Sequence, residues 1–258
     1  MIPKIIHYCW FGGNPKSEII EKCIASWKKY CPDWEIIEWN EGNFDVNLCK
    51  YTRNAFENKR WAFLSDVARL YVVNKAGGVY LDTDVELNAP IENWLNYNSF
   101  FVFDNRRYIG TGYGFGAEAN NKIVESMLND YFDDELEEIL CTHLNTKSAS
   151  KVIDIPRMDI TQVIENNLFI SEEDYNAIAK HHSTWSWDTE ENKAFREKRS
   201  KKHKILKRIF RNKAIRNRFE KNLQSKAAKI YFFVAYDLLE SGVMYYFKKL
   251  CKKLKKHK

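Results

Sequence analysis

Two carboxylates, Asp82 and Asp84, stand two residues apart between Val79-Tyr80-Leu81 and Val85-Glu86-Leu87. In a strand that spacing sends both side chains to one face. Two oxygens aimed at one point make half a site for a hard divalent cation. Mg²⁺ typically takes one or two carboxylates, with phosphate oxygens and water filling its octahedron. An Asp-x-Asp tripeptide is also an ordinary solvated strand end, so its neighbours must decide. Upstream, Asp66 and Arg69 lie three apart in a helical pattern and share a face. Beside a metal–phosphate group such an arginine can neutralise a diphosphate. Far from one, the pair is a plain helical ion pair.

The surrounding elements must bring these residues together. Over Arg60 to Lys75, the residues Trp61, Leu64, Val67, Ala68, Tyr71 and Val72 recur at helical spacing, and Gly77-Gly78 supplies a stop. Val79 to Leu87 reads as one strand after that turn, with its carboxyl end at the edge where open α/β sheets bind ligands. Lys4 to Trp10 and Trp34 to Trp39 read as strands around a helix from Ser17 to Tyr30. Phe100 to Asp104 is another strand. A glycine-rich stretch (Gly110, Gly112, Gly114, Gly116) leads toward a helix spanning about Asn120 to Cys141, and Asp174 to Lys180 is a helix turn or short strand. Strands alternating with helices predict an α/β domain.

Several motifs occur together in order. The run Ala62-Phe63-Leu64-Ser65-Asp66-Val67-Ala68-Arg69-Leu70, followed by Gly77-Gly78-Val79-Tyr80-Leu81-Asp82-Thr83-Asp84-Val85, resembles the signature of the DXD-containing glycosyltransferases of family 32. The opening Ile2 to Gly13, and Ser26-Trp27 followed by Pro32-Asp33-Trp34-Glu35, are similar to that family's start. The resemblance covers residues 1 to about 120 and returns near His181 to Trp187. It implies a GT-A fold, a nucleotide-binding α/β sandwich with a mixed sheet. It also implies transfer of a sugar from a nucleotide sugar with retained anomeric configuration and Mn²⁺ or Mg²⁺ as cofactor. On that basis Trp10 would stack on the nucleobase. Ser65, Asp66 and Arg69 would line the donor sugar or its phosphate, and Tyr80 would sit by the ribose. Asp82 would contact ribose and the metal shell, and Asp84 would ligate the metal directly. His182 would be the third ligand and Trp187 a cover over the diphosphate. Trp185 departs from the glycine usual at its position in the family. The resemblance implies front-face attack through an oxocarbenium-like state, which requires no protein nucleophile, and none is identified from the sequence. Asp104, Asp159 and Gln162 are weak acceptor-side candidates.

Charge divides the chain. Residues 1–191 hold 18 Lys and Arg against 31 Asp and Glu, a balance of −13, whereas 192–258 hold 23 against 4, a balance of +19. The expected organisation is a catalytic domain over 1–190 and a basic, amphipathic helical tail over 191–258. Lys204 to Lys221 carries a thin apolar stripe, and Ile230 to Leu250 is apolar and aromatic before a lysine cluster. Such segments lie on anionic membrane surfaces and gain about 1 kcal/mol per basic residue there. The six cysteines form no C-x-x-C pair, Met1 to Lys4 does not begin a signal peptide, and no run of eighteen apolar residues occurs. The expectation is a cytoplasmic bacterial enzyme on the inner membrane face. Its partners would be a nucleotide-sugar donor, UDP preferred over GDP, and a saccharide or lipid-linked acceptor for capsule, lipopolysaccharide or exopolysaccharide.

The alternative is a nucleic-acid- or membrane-binding protein that uses the tail on a non-catalytic body. The acidic body opposes a nucleic-acid partner. Gly112-x-Gly114-x-x-Ala117 also fits a relaxed dinucleotide fingerprint, but it stands late in the chain rather than after the first strand.

Overall fold

The computed structural model describes residues 1–184 except 105–107, 137–140 and 157–158. The expected boundary near 190, the basic tail and Trp187 lie outside these residues.

The first three elements follow the expected order: β1 (Ile5–Cys9), α1 (Glu18–Tyr30) and β2 (Glu35–Trp39). Next come α2 (Lys50–Glu57) and the long α3 (Trp61–Ala76), which ends at Gly77 with φ 68°. A side chain on Gly77 would press on the Pro3 ring, 2.8 Å from its Cδ. The strand expected from Val79 to Leu87 is two strands, β3 (Gly78–Tyr80) and β4 (Val85–Leu87). Between them the Val85 N–H donates to the Asp82 carbonyl at 3.0 Å, closing a turn over Asp82 to Val85. The acidic pair therefore converges through a turn and not through strand alternation.

The rest of the sheet comes from β5 (Ser99–Val102) and β6 (Phe115–Ala117). The glycine-rich stretch thus runs into a central strand instead of opening a helix, which removes the dinucleotide reading. The helix expected over Asn120 to Cys141 is broken. It comprises α4 (Lys122–Asn129), a single 3₁₀ turn at Asp130–Phe132 and, after the acidic run that follows, α5 (Cys141–Ala149). The chain then forms β7 (Gln162–Ile164), β8 (Asn167–Ile170), α6 (Glu172–Ile178) and β9 (Ala179–His181). Asp174 to Lys180 accordingly contributes to both a helix and a strand.

Seven strands form one mixed sheet in the order β2-β1-β3-β6-β5-β8-β7. β6 runs antiparallel to both of its neighbours. Alternation along the strands sorts the core into two layers. Cys9, Tyr80, Phe101, Phe115 and Phe169 face α2, α3, α4 and α5. Ile6, Tyr8, Val79, Phe100, Val102 and Leu168 face the opposite layer, with Trp27 of α1 and Tyr175 of α6. This mixed sheet between helical layers is the architecture the resemblance implies for a GT-A domain.

β4 and β9 form a separate antiparallel ribbon. α1 pins it: the Trp27 indole N–H donates to the Val85 carbonyl at 2.7 Å, and Leu87 N–H donates to Ser26 Oγ at 2.9 Å. The Ser26-Trp27 pair thus holds the strand that follows Asp84. Among the described residues no helix is long and apolar enough to cross a membrane.

Candidate active site

α3 and β3 build the inner part of the site. Arg69, 5% exposed, places Nη2 at 3.2 Å from both Asp66 Oδ1 and Asp82 Oδ1. Its Nε–H donates to the Ser65 carbonyl at 3.0 Å, and its guanidinium lies 4.9 Å from the centre of the Tyr80 ring. The Tyr80 hydroxyl donates to Asp82 Oδ1 at 2.9 Å. Ser65 Oγ–H turns back to the Trp61 carbonyl, so this hydroxyl caps its own helix turn. Burial pushes the Asp66 carboxyl up to about 6 despite Arg69. Burial also raises Asp82, and repulsion from Asp84 adds to the rise while Arg69 opposes it. The Asp82 side chain nevertheless keeps 27% of its surface open.

Gly112 closes this side. Its carbonyl accepts the Asp82 N–H at 3.3 Å, and a Cβ built there would collide with Asp82 Oδ2. The loop carrying it is tied to α5, where Asn145 Nδ2–H donates to Thr111 Oγ1 at 3.1 Å and Ile109 N–H donates to Thr146 Oγ1 at 2.8 Å.

The outer part comes from the ribbon and the residues after it. His181 Nε2 lies 3.2 Å from Asp84 Oδ1. Asp84 Oδ2 accepts the Thr184 N–H at 2.8 Å and its hydroxyl at 3.1 Å. Ser183, with φ 51°, makes the turn that returns Thr184 to Asp84. Burial acts to raise the Asp84 carboxyl, but the bond and charge of His181 and the Thr184 donors outweigh it and hold Asp84 at about 2. His181 is kept in place by Ser183 Oγ at 3.1 Å from its Nδ1 and by the Tyr113 ring, stacked with centres 4.6 Å apart. Tyr113 is held in turn by the Tyr175 hydroxyl, which donates to its carbonyl at 2.6 Å.

Asp82, Asp84 and His181 each offer one ligand atom, all within 4.8 Å of one another. The 3.2 Å between His181 Nε2 and Asp84 Oδ1 is close to the roughly 3 Å between neighbouring corners of an octahedron with arms of about 2.1 Å. Protonated, Nε2 donates to Asp84; with Nδ1–H given to Ser183 and the Nε2 proton released, the Nε2 lone pair would be free for a cation shared with Asp84. The residues present therefore fit a divalent metal ion.

The histidine at this position differs from the expected one. His182 Nε2 points to Glu86 Oε2 at 2.8 Å, and only its backbone reaches the pair, its N–H donating to the Asp84 carbonyl at 2.9 Å. The reason is strand alternation in β9: adjacent residues face opposite sides, so one of two neighbouring histidines must turn away. Ser65, Asp66, Arg69, Tyr80 and Asp82 are brought together as one bonded group. Trp10 follows β1 at the same carboxyl edge of the sheet, its indole N–H donating to the Asn14 carbonyl at 2.7 Å and Lys16 Nζ 5.6 Å from its ring centre. Thr184 and Tyr113 had no signal in spacing, since they lie 100 and 29 residues from Asp84.

Residues 17–101 match the family model described as a glycosyltransferase sugar-binding region containing a DXD motif. This segment is similar to the sugar-binding region of DXD glycosyltransferases. It holds Ser65, Asp66, Arg69, Tyr80, Asp82 and Asp84, whereas Trp10 and His181 lie outside it. An inositol phosphoceramide mannosyltransferase of Schizosaccharomyces pombe is 32% identical over 108 residues, which are 37% of this chain. The chain spans 28% of that protein's length. An uncharacterized glycosyltransferase of Acanthamoeba polyphaga mimivirus is 24% identical over 65% of this chain and 68% of its own. Among solved structures, the PaToxG glycosyltransferase aligns with a TM-score of 0.47 and 17% identity, over 59% of this chain and 70% of its own.

Proposed function

We propose that this protein is a divalent-metal-dependent glycosyltransferase that moves a sugar from a nucleotide sugar to a saccharide acceptor with retained configuration. The observation that carries this reading is the convergence of Asp82, Asp84 and His181 beside a buried arginine that bridges Asp66 and Asp82. A bound Mn²⁺ or Mg²⁺ would offset the negative charge that develops on the departing nucleoside diphosphate. Asp84 remains ionised and aimed by Thr184 and His181. Tyr80 and Arg69 fix the orientation of Asp82, so its free oxygen needs no reorganisation when ligand arrives. Asp66 and Arg69 bind donor hydroxyls or phosphate, and Trp10 stacks on the base. We take UDP-hexose as the donor class, with the product entering a bacterial surface polysaccharide. The basic segment 192–258 attaches the enzyme to the anionic inner face of the membrane; flotation with anionic liposomes at low salt is the expected result, and failure to float removes that part.

A thermal-shift panel tests the central claim, using UDP-, GDP- and CMP-sugars with and without Mn²⁺ on wild type and Asp84→Asn. A ligand at 100 times its Kd stabilises a fold by about 2.7 kcal/mol. A Mn²⁺-dependent rise with one nucleotide sugar, lost in Asp84→Asn, is expected. An equal rise in the variant, or no rise with any nucleotide in liposome-supplemented full-length protein, overturns the reading.

A further inference from the structure

We propose that Glu86, tethered by Lys22, is a positioning residue that selects which of the two adjacent histidines meets Asp84. The inference rests on the metal-site reading given above. Glu86 lies in β4 with 16% of its side chain exposed, and each of its oxygens is engaged: Oε1 by Lys22 Nζ at 2.8 Å and Oε2 by His182 Nε2 at 2.8 Å. Its strand is itself pinned to α1 through Trp27 and Ser26. Glu86 is therefore a fixed post on the ribbon, and His182 is clasped to it.

The ribbon is short, and its register decides which of the two histidines faces Asp84. β4 and β9 pair over three residues each, with Val85 opposite His181 and Glu86 opposite Lys180. A slip of one residue turns every side chain to the other face. Here a slip would carry His182 into the place of His181 and Ser183 into the place of His182. An imidazole would still reach Asp84, so the carboxylate alone discriminates poorly between the two registers. The slipped register would, however, lose the bond from His182 to Glu86, draw Thr184 away from Asp84 and carry Lys180 into the buried place of Ala179, so Glu86 acts together with the core in fixing the register. Glu86 thus penalises the wrong histidine by binding it elsewhere. The Tyr113 ring and Ser183 then complete the surroundings of His181.

The test compares histidine variants in two backgrounds, reading Mn²⁺ affinity of the full chain without donor by electron paramagnetic resonance. In the wild-type background His181→Ala is expected to weaken Mn²⁺ binding by about 100-fold and His182→Ala by about 10-fold or less, the range seen for ligands and their supporting shell. In the Glu86→Ala background the gap between the two variants should narrow several-fold, because His182 is no longer held away from the site. Glu86→Gln keeps an acceptor for the His182 N–H and should restore the wild-type preference. An unchanged preference for His181 in Glu86→Ala overturns the proposal. A second readout needs no metal: Glu86→Ala, but not Glu86→Gln, should speed amide hydrogen exchange across residues 179–184. Unaltered exchange there also overturns it. Wild-type protein that binds no Mn²⁺ would defeat the metal-site reading instead, and the exchange result would still decide the clasp.

Discussion

Asp82 and Asp84 share one turn, yet their surroundings push their carboxyls in opposite directions. Asp82 belongs to the α3 side, where burial and a second carboxylate raise it, while Arg69 and, to a lesser degree, His181 and the Tyr80 hydroxyl oppose the rise. Asp84 belongs to the ribbon side, where an imidazole and two Thr184 donors lower it to about 2. The first side is a buried ionic group whose cost is borne by the fold. The second is a set of donors gathered around an ionised ligand. A stability variant should therefore expose the first, and an activity variant the second.

The largest expected effect is on the α3 side. Arg69→Met leaves Asp66 and Asp82 without their shared cation, and breaking a buried pair in this way costs about 3–5 kcal/mol; urea unfolding at pH 7.5 measures it. Asp84→Asn should do the reverse, lowering nucleotide-sugar turnover by roughly 10²–10³-fold while costing less stability than Arg69→Met. If both variants lose stability equally, the contrast between the two sides fails. Gly112→Ala sharpens it: the new methyl meets Asp82 Oδ2, and a displacement near 1 Å can cost about 10²-fold in rate with the fold retained. Steady-state kinetics beside a melting curve would separate rate from stability.

The smallest effect concerns His7, beneath the Gly77 turn. Its Nδ1 accepts from the Trp39 indole N–H at 3.1 Å and its Nε2–H donates to the Gly77 carbonyl at 2.9 Å. Burial holds its pKa below the ordinary 6.5. Below that pH the unfolded chain takes up a proton that the folded chain resists, so stability falls as pH falls, by at most about 1.4 kcal/mol per pH unit. A titration of melting temperature between pH 7.5 and 5 should show a shallower slope in His7→Gln than in wild type. Equal slopes would remove His7 as the source.

These contrasts explain what could be read from the residues. The α3 side is local in sequence: Asp66, Arg69, Tyr80 and Asp82 fall within seventeen residues, and helix spacing followed by a glycine turn was enough to place them together. The α/β class and helix α3 were legible for the same reason. The single strand from Val79 to Leu87 was not, because periodicity cannot distinguish one strand from two joined by a turn when both are apolar. Strand β6 takes its pairing from distant partners, and β7 and β8, a hairpin turning at Glu165 and Asn166, are only three and four residues long and carry little signal of their own. On the ribbon side the neighbouring histidines were visible, but choosing between them required the register of β9 against β4. That register depends on contacts across about a hundred residues. Glu86, the residue that separates the two histidines, looked like an ordinary strand-end acid.

The span between Asp84 and Thr184 also has a temporal meaning. During synthesis, the α3 side can assemble once β6 and the Gly112 loop have emerged and can cover Asp82. Asp84 waits for His181 and Thr184, which follow it by nearly a hundred residues. A nascent or truncated chain ending before β9 therefore holds all seven strands of the main sheet and an unfinished candidate metal site. On the function proposed above, such a chain would carry Asp82 and Asp84 without the histidine that completes their site. On that reading β9 and Thr184 work as an ignition step, withholding competence until the sheet beneath the site is already made.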